Sequence, residues 1–139
     1  MKHSIMFVDD SVNVLESLKW VFEDEPYHLF VLENPKDALE LIEITDFAVV
    51  VVEHSMLKMD GIEFLKQVRK KSPYTVGIIM SDYTVFRDAL DCLYPGCAFQ
   101  YIKKPLDAFE IKQAVEAALV HYETNSESDR NVNFNQLRS

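Results

Sequence analysis

Val49-Val50-Val51-Val52 is an unbroken run of β-branched residues that ends in a carboxylate, Glu53. A strand with one wet face alternates apolar and polar side chains, and this run does not. Its lack of alternation fits a central strand covered on both faces, as in the parallel sheet of an α/β fold. Flanking segments agree. Apolar runs of four to seven residues alternate along the chain with amphipathic stretches of ten to fifteen, the pattern of repeated βα units.

Strands are expected at about 4–9, 28–32, 47–52, 76–80 and 98–102. The first helix is expected from Ser11 to about Asp24, because Val14, Leu15, Leu18, Val21 and Phe22 share one face and Pro26 stops the chain from continuing. Asn34-Pro35 reads as a cap followed by proline at the first helical position, with a helix to about Ile44. Asp60 with Glu63 three residues on opens a third helix, ended by Ser72-Pro73. A fourth is expected over 85–93. Asp107 with Glu110 opens the last, whose inner face is Ile111, Ala114, Val115, Ala118, Leu119 and Tyr122. These elements make a (βα)5 domain over residues 1–122. The polar stretch 123–139 shows no periodicity and reads as a linker or tail.

Acidic residues outnumber basic ones 23 to 14, for a formal charge of −9 in 139 residues. That balance disfavours a direct grip on nucleic acid or an anionic membrane and suits a cation or a basic partner. Cys92 and Cys97 make no disulfide framework and no Cys/His set has zinc spacing, which fits a reducing, cytoplasmic setting. The first apolar stretch is cut by Asp9-Asp10, so it is no signal peptide, and no run approaches membrane-spanning length. Neither dinucleotide-binding nor P-loop glycine patterns occur, and there is no G-x-S-x-G.

What remains is a set of strand ends. Asp9 and Asp10 follow the first strand, Glu53 the third, Ser81 the fourth and Lys104 the fifth. In a flavodoxin-like sheet of order 2-1-3-4-5 these ends meet at one crevice, at the point where the strand order reverses. Three carboxylates there would raise one another's pKa unless a cation intervened, and a hard oxygen set of this size suits Mg2+. Each residue also has a plainer reading: Asp9 and Asp10 as helix caps, Ser81 as a strand end, Tyr101 as packing, Lys104 as a solvated charge. His54 beside Glu53 is no candidate base, because neighbours along a strand point to opposite faces.

Four motifs at these strand ends occur in order: Phe7-Val8-Asp9-Asp10-Ser11, then Glu53 through Met59-Asp60-Gly61, then Ile79-Met80-Ser81, then Tyr101-Ile102-Lys103-Lys104-Pro105. With them the chain resembles, over about residues 3–122, the receiver domain of two-component response regulators. The resemblance implies roles. Asp10 would ligate Mg2+ directly and Asp9 through water, with the Ser55 backbone carbonyl and the side chain at 53 completing the set. Position 53 would accept the phosphoryl group, Ser81 would hydrogen-bond it, and Lys104 would lend it a point charge. Tyr101 would be the switch aromatic, and Lys104-Pro105 a cis peptide. A sensor kinase and an output domain would be the protein partners. A homodimer would form through the fourth helix, fifth strand and last helix.

The chain departs from that pattern at three places. The family's acceptor is Asp, whose carboxylate attacks the phosphoryl donor in line. Glu53 carries its carboxylate about 1 Å further, and a misplacement of that size can cost roughly 10²-fold in rate. Asp82 follows Ser81 where the family has a small residue, which narrows the pocket. Leu57 stands where the family commonly has Pro, which is expected to loosen the loop. The expectation is a pseudo-receiver that is no enzyme and works through protein contacts. The alternatives are a receiver that still accepts phosphate and, from another class, a Mg2+-dependent phosphohydrolase.

Overall fold

The computed structural model describes residues 2–82 and 98–138, with side chains of the last helix described as far as Asn125. Five strands, β1 (Ser4–Val8), β2 (His28–Leu32), β3 (Val49–Glu53), β4 (Val76–Ser81) and β5 (Gln100–Lys103), form one parallel sheet of order β2-β1-β3-β4-β5. The described helices are α1 (Val12–Val21), α2 (Pro35–Ile44), α3 (Gly61–Lys71) and α4 (Ala108–Arg138). The helix expected over 85–93, Cys92 and Cys97 lie outside the described residues.

β3 is the strand that the valine run demands. It is flanked by β1 and β4, with Val49–Val52 opposite Ile5–Val8 on one side and Val76–Ile79 on the other. Pleating divides the run between two cores. Val49 and Val51 join Ile5, Phe7, Ile78 and Met80 against α1 and α4; Val50 and Val52 join Met6, Val8 and Ile79 against α2 and α3. All four valines are fully buried. At about 1.5–3 kcal/mol for each such side chain, these positions carry a large share of the sheet's stability.

Helix starts follow the capping chemistry. Ser11 Oγ accepts from the Val14 N–H, Asn34 Oδ1 from the Lys36 N–H with Pro35 at the first position, and Asp60 Oδ1 from the Ile62 N–H. Asp107 Oδ1 accepts from the Glu110 N–H, so the last helix opens where its cap places it. Two ends differ from expectation. α1 stops at Val21 with Phe22 as its cap, short of Pro26; the Phe22 N–H still donates to the Leu18 carbonyl. α4 does not stop at Tyr122 but runs on to Arg138, through the stretch read as a linker.

The turn from β3 into α3 depends on one glycine. The Gly61 N–H donates to the His54 carbonyl at 2.8 Å, which brings its Cα against the end of β3. A Cβ there would collide with the Glu53 carbonyl oxygen and press on the His54 Cα. Gly61→Ala is therefore expected to destabilise the domain by about 1–3 kcal/mol through forced displacement of the β3 end. Chemical denaturation of both proteins measures it, and equal midpoints would refute the close approach.

Candidate functional site

β1, β3 and β5 each deliver a charged side chain to the C-terminal edge of the sheet. The Asp9 N–H donates to the Leu32 carbonyl, the His54 N–H to Met80 and the Lys104 N–H to Ser81, so β-ladder bonding persists one residue beyond each strand. That continuation fixes where the side chains of Asp9, Glu53 and Lys104 depart.

The three meet. The Lys104 ammonium lies 2.7 Å from Asp9 Oδ2 and 2.5 Å from Glu53 Oε2. Asp9 is 1% exposed and Glu53 7%, so both carboxylates are out of water. Asp9 Oδ1 accepts from the Ser11 N–H at 2.9 Å, and Glu53 Oε1 from the Ser55 N–H at 3.3 Å. Glu53 Oε2 has the ammonium beside it as an ion pair, but no hydrogen bond of good geometry reaches it among the described residues. One cation thus serves two buried anions, and it serves Asp9 better.

The electrostatics follow. Burial pushes the Glu53 carboxyl above its ordinary value; Lys104 and the Ser55 N–H pull against this, and the Asp9 charge adds to it. For Lys104 burial pulls the ammonium down, yet hydrogen bonds and charge from Asp9 and Glu53 outweigh it and hold the group protonated beyond its ordinary range. The two directions are consistent, because the ammonium gains two partners while Glu53 receives only a share of one.

The other expected site residues are placed differently. Asp10 is exposed, and its Oδ2 accepts from the Leu57 N–H at 3.1 Å. The Ser55 N–H donates to Glu53 Oε1. Ser81 is fully buried, but its hydroxyl donates to the Asp82 carbonyl at 3.2 Å and not toward Glu53. The Tyr101 hydroxyl donates to the same carbonyl at 3.0 Å. Burial raises its pKa, and the charges of Asp82 and Glu53 add to the rise. The Lys104-Pro105 peptide is cis. His54 is buried, with Nδ1 3.3 Å from Ser55 Oγ and Nε2 3.9 Å from Asp60 Oδ2.

A bound Mg2+ needs carboxylate oxygens with lone pairs to spare. Here the oxygens that converge are already engaged by the chain's own donors, and Asp10 is drawn off toward residue 57. Among the described residues no group of three His, Cys, Asp or Glu side chains is disposed to hold a metal ion. As arranged here, Asp9, Asp10 and Glu53 are not gathered into such a group, and Asp9 and Glu53 face an ammonium instead.

Sequence reasoning missed the Leu57 amide. Proline has no N–H, so the bond to Asp10 exists only because position 57 is not proline. Through it the loop is joined to Asp10 after β1, while the Leu57 side chain stands 97% exposed. A cavity of about 620 Å3 opens at the opposite edge of the sheet, between Arg69, Tyr74, Phe99 and His121, and holds none of these residues.

A parallel sheet with this strand order and this acidic edge defines a flavodoxin-like α/β domain of the regulatory type. The family model for the response regulator receiver domain matches residues 5–116, and the chain belongs to that family. It is 30% identical over 117 residues to the transcriptional regulatory protein ZraR of Escherichia coli K12, covering 84% of this chain and 26% of that protein. It is 34% identical over 115 residues to the regulatory protein AtoC of the same strain, covering 83% of this chain and 25% of that one. The chain thus spans about a quarter of the length of these relatives. A crystal structure described as adenylate cyclase from Rhodopirellula baltica superposes with a TM-score of 0.91 at 25% identity, covering 96% of this chain and 98% of that one. Receivers are regulatory signalling domains, and the phosphohydrolase alternative draws no support from these relatives. No helix among the described residues is long and apolar enough to cross a membrane.

Removing the shared cation is expected to be costly. Lys104→Met leaves two buried carboxylates without a partner, a loss of about 3 kcal/mol, the low end for such pairs because Lys104 keeps 20% exposure. The sign with pH is fixed by the direction of the shifts. A carboxyl whose folded pKa lies above its unfolded value favours the fold at low pH, and that advantage is lost as pH rises through the folded value. The variant's deficit should therefore be full at pH 7 and smaller when measured at pH 4, because the Glu53 carboxyl, raised by burial, takes up its proton on acidification. Denaturant midpoints at both pH values test it; a deficit independent of pH would mean that the ammonium does not compensate these groups.

Proposed function

We propose that this chain is a pseudo-receiver: a two-component receiver domain in which Glu53 stands at the phosphoacceptor position and signalling proceeds through protein contacts rather than phosphotransfer. The observation that supports this reading most is the 2.5 Å ion contact between Glu53 Oε2 and Lys104. An acceptor carboxylate has to present a lone pair to an incoming phosphorus, with the lysine free to meet the phosphoryl oxygens. In this pocket the lysine is committed to the acceptor position itself and to Asp9. Ser81 is likewise turned to a backbone carbonyl.

Glu53 acts here as a fixed anion, with Lys104 as its counter-charge and Tyr101 and Ser81 as the hydroxyls that read the state of that edge. The negative charge at position 53 is one, whereas an aspartyl phosphate would add about −1.5 to −2, so the pocket holds a weaker field than a modified receiver. Output then depends on surface. Phe109 and Val120 on α4 are 70% and 63% exposed, and they sit three helical turns apart on one side. They lie on the last helix, part of the face assigned above to a homodimer or an output domain. The protein is assigned to the cytoplasm, beside a sensor kinase or output module, and to no direct contact with nucleic acid or membrane.

Intact mass after incubation with acetyl phosphate and Mg2+ tests the proposal. The expected result is no phosphoryl adduct on the parent protein and one adduct on Glu53→Asp. An adduct on the parent would establish a working receiver instead, and its absence from both would remove position 53 as the acceptor position.

A further inference from the structure

We propose that Lys104 is the resident cation of this pocket and that the domain keeps its acidic edge closed without a divalent metal. This rests on the pseudo-receiver reading and extends it from the acceptor to the cation. The carboxylate oxygens of this edge form a short inventory. Asp9 Oδ1 is taken by the Ser11 N–H and Asp9 Oδ2 by the ammonium. Glu53 Oε1 is taken by the Ser55 N–H, and Oε2 lies against the same ammonium. Asp10 Oδ2 is taken by the Leu57 N–H.

Two departures from the family pattern produce that inventory. The extra methylene of Glu53 lets its carboxylate reach an ammonium that also touches Asp9. The non-proline residue at 57 supplies the amide that holds Asp10. Mg2+ needs near-octahedral oxygen ligands at about 2.0–2.1 Å and gives up its waters reluctantly, so it is bound through carboxylates that are free to face it. Here a divalent ion would have to displace an ammonium that sits within 2.7 Å of both partners, or share the pocket with it against like-charge repulsion. The ammonium is covalently tethered and its effective concentration does not fall when Mg2+ is diluted.

Removing the tether reverses the preference. In Lys104→Met the Asp9 and Glu53 oxygens that shared the ammonium still converge on one point, now without a cation. One or two carboxylates with waters suffice for Mg2+.

The experiment is a Mg2+ titration of the full chain, read by thermal melting at constant ionic strength and by amide NMR. For the parent, the melting temperature should not move, and the amides of Asp9–Ser11 and Glu53–Ser55 should not shift. Lys104→Met should gain on the order of 5–10 °C at Mg2+ about a hundredfold above its Kd. Glu53→Asp should also recover a Mg2+ response. Site-localised amide shifts in the parent would overturn the proposal, as would a parent melting temperature that rises as much as that of Lys104→Met. If Lys104→Met gives no folding transition, the parent NMR titration decides alone. A parent that binds Mg2+ yet gains no phosphoryl adduct removes this inference and leaves the pseudo-receiver reading intact; a parent that gains the adduct removes both.

Discussion

One ammonium between two buried carboxylates is the interaction on which the pocket depends. Asp9 and Lys104 are 95 positions apart in the chain, and only the sheet brings them within 2.7 Å. The demand on the sheet is specific. β1 and β3 are neighbours, so Asp9 and Glu53 emerge side by side. β5 is separated from β3 by β4, roughly two strand spacings or about 10 Å. Lysine is long enough to cross that gap, and Ser81 at the end of β4 is small enough to be crossed. A bulky residue at 81 would stand in the path of the ammonium. The hydroxyl there therefore has a steric role that does not require it to touch a phosphoryl group.

The strand-level fold was legible because its signal is physical and local. Four valines without alternation require cover on both faces, and β3 received it from both cores. Caps at Ser11, Asn34, Asp60 and Asp107 announced where helices begin, since each short polar side chain can satisfy an orphan N–H. Helix ends were less legible. α1 ends before the proline that stops the chain, and α4 continues through a stretch that displays no apolar period.

The site was legible as a set of residues but not as a set of bonds. Strand-end position told which side chains share an edge; it could not tell how four acceptors would divide their donors. Residue type names the side-chain donors, yet three of the bonds at this edge come from backbone amides of Ser11, Ser55 and Leu57. Amides are the same for almost every residue, and their direction is a property of the folded loop. The one sequence signal was negative: a position without proline keeps an N–H. Ser81 illustrates the same limit. Its hydroxyl donates to the carbonyl of the next residue, a backbone acceptor that residue type does not name.

Departures that looked separate act on one quantity, the number of carboxylate lone pairs left free at the edge. Glu53 brings its carboxylate against Lys104, and the Leu57 amide engages one oxygen of Asp10. The consequence is carried outward along a short path. Lys104 is joined to the first residue of α4 by Pro105, Leu106 and Asp107 alone, and Asp107 is the cap of that helix. α4 is anchored under the sheet by Ile111, Ala114, Val115 and Ala118 and then continues beyond them. The position of the ammonium and the start of the helix are thus set by the same few backbone dihedrals. On the pseudo-receiver reading proposed above, a pocket occupied by its own lysine would hold that helix start in one arrangement.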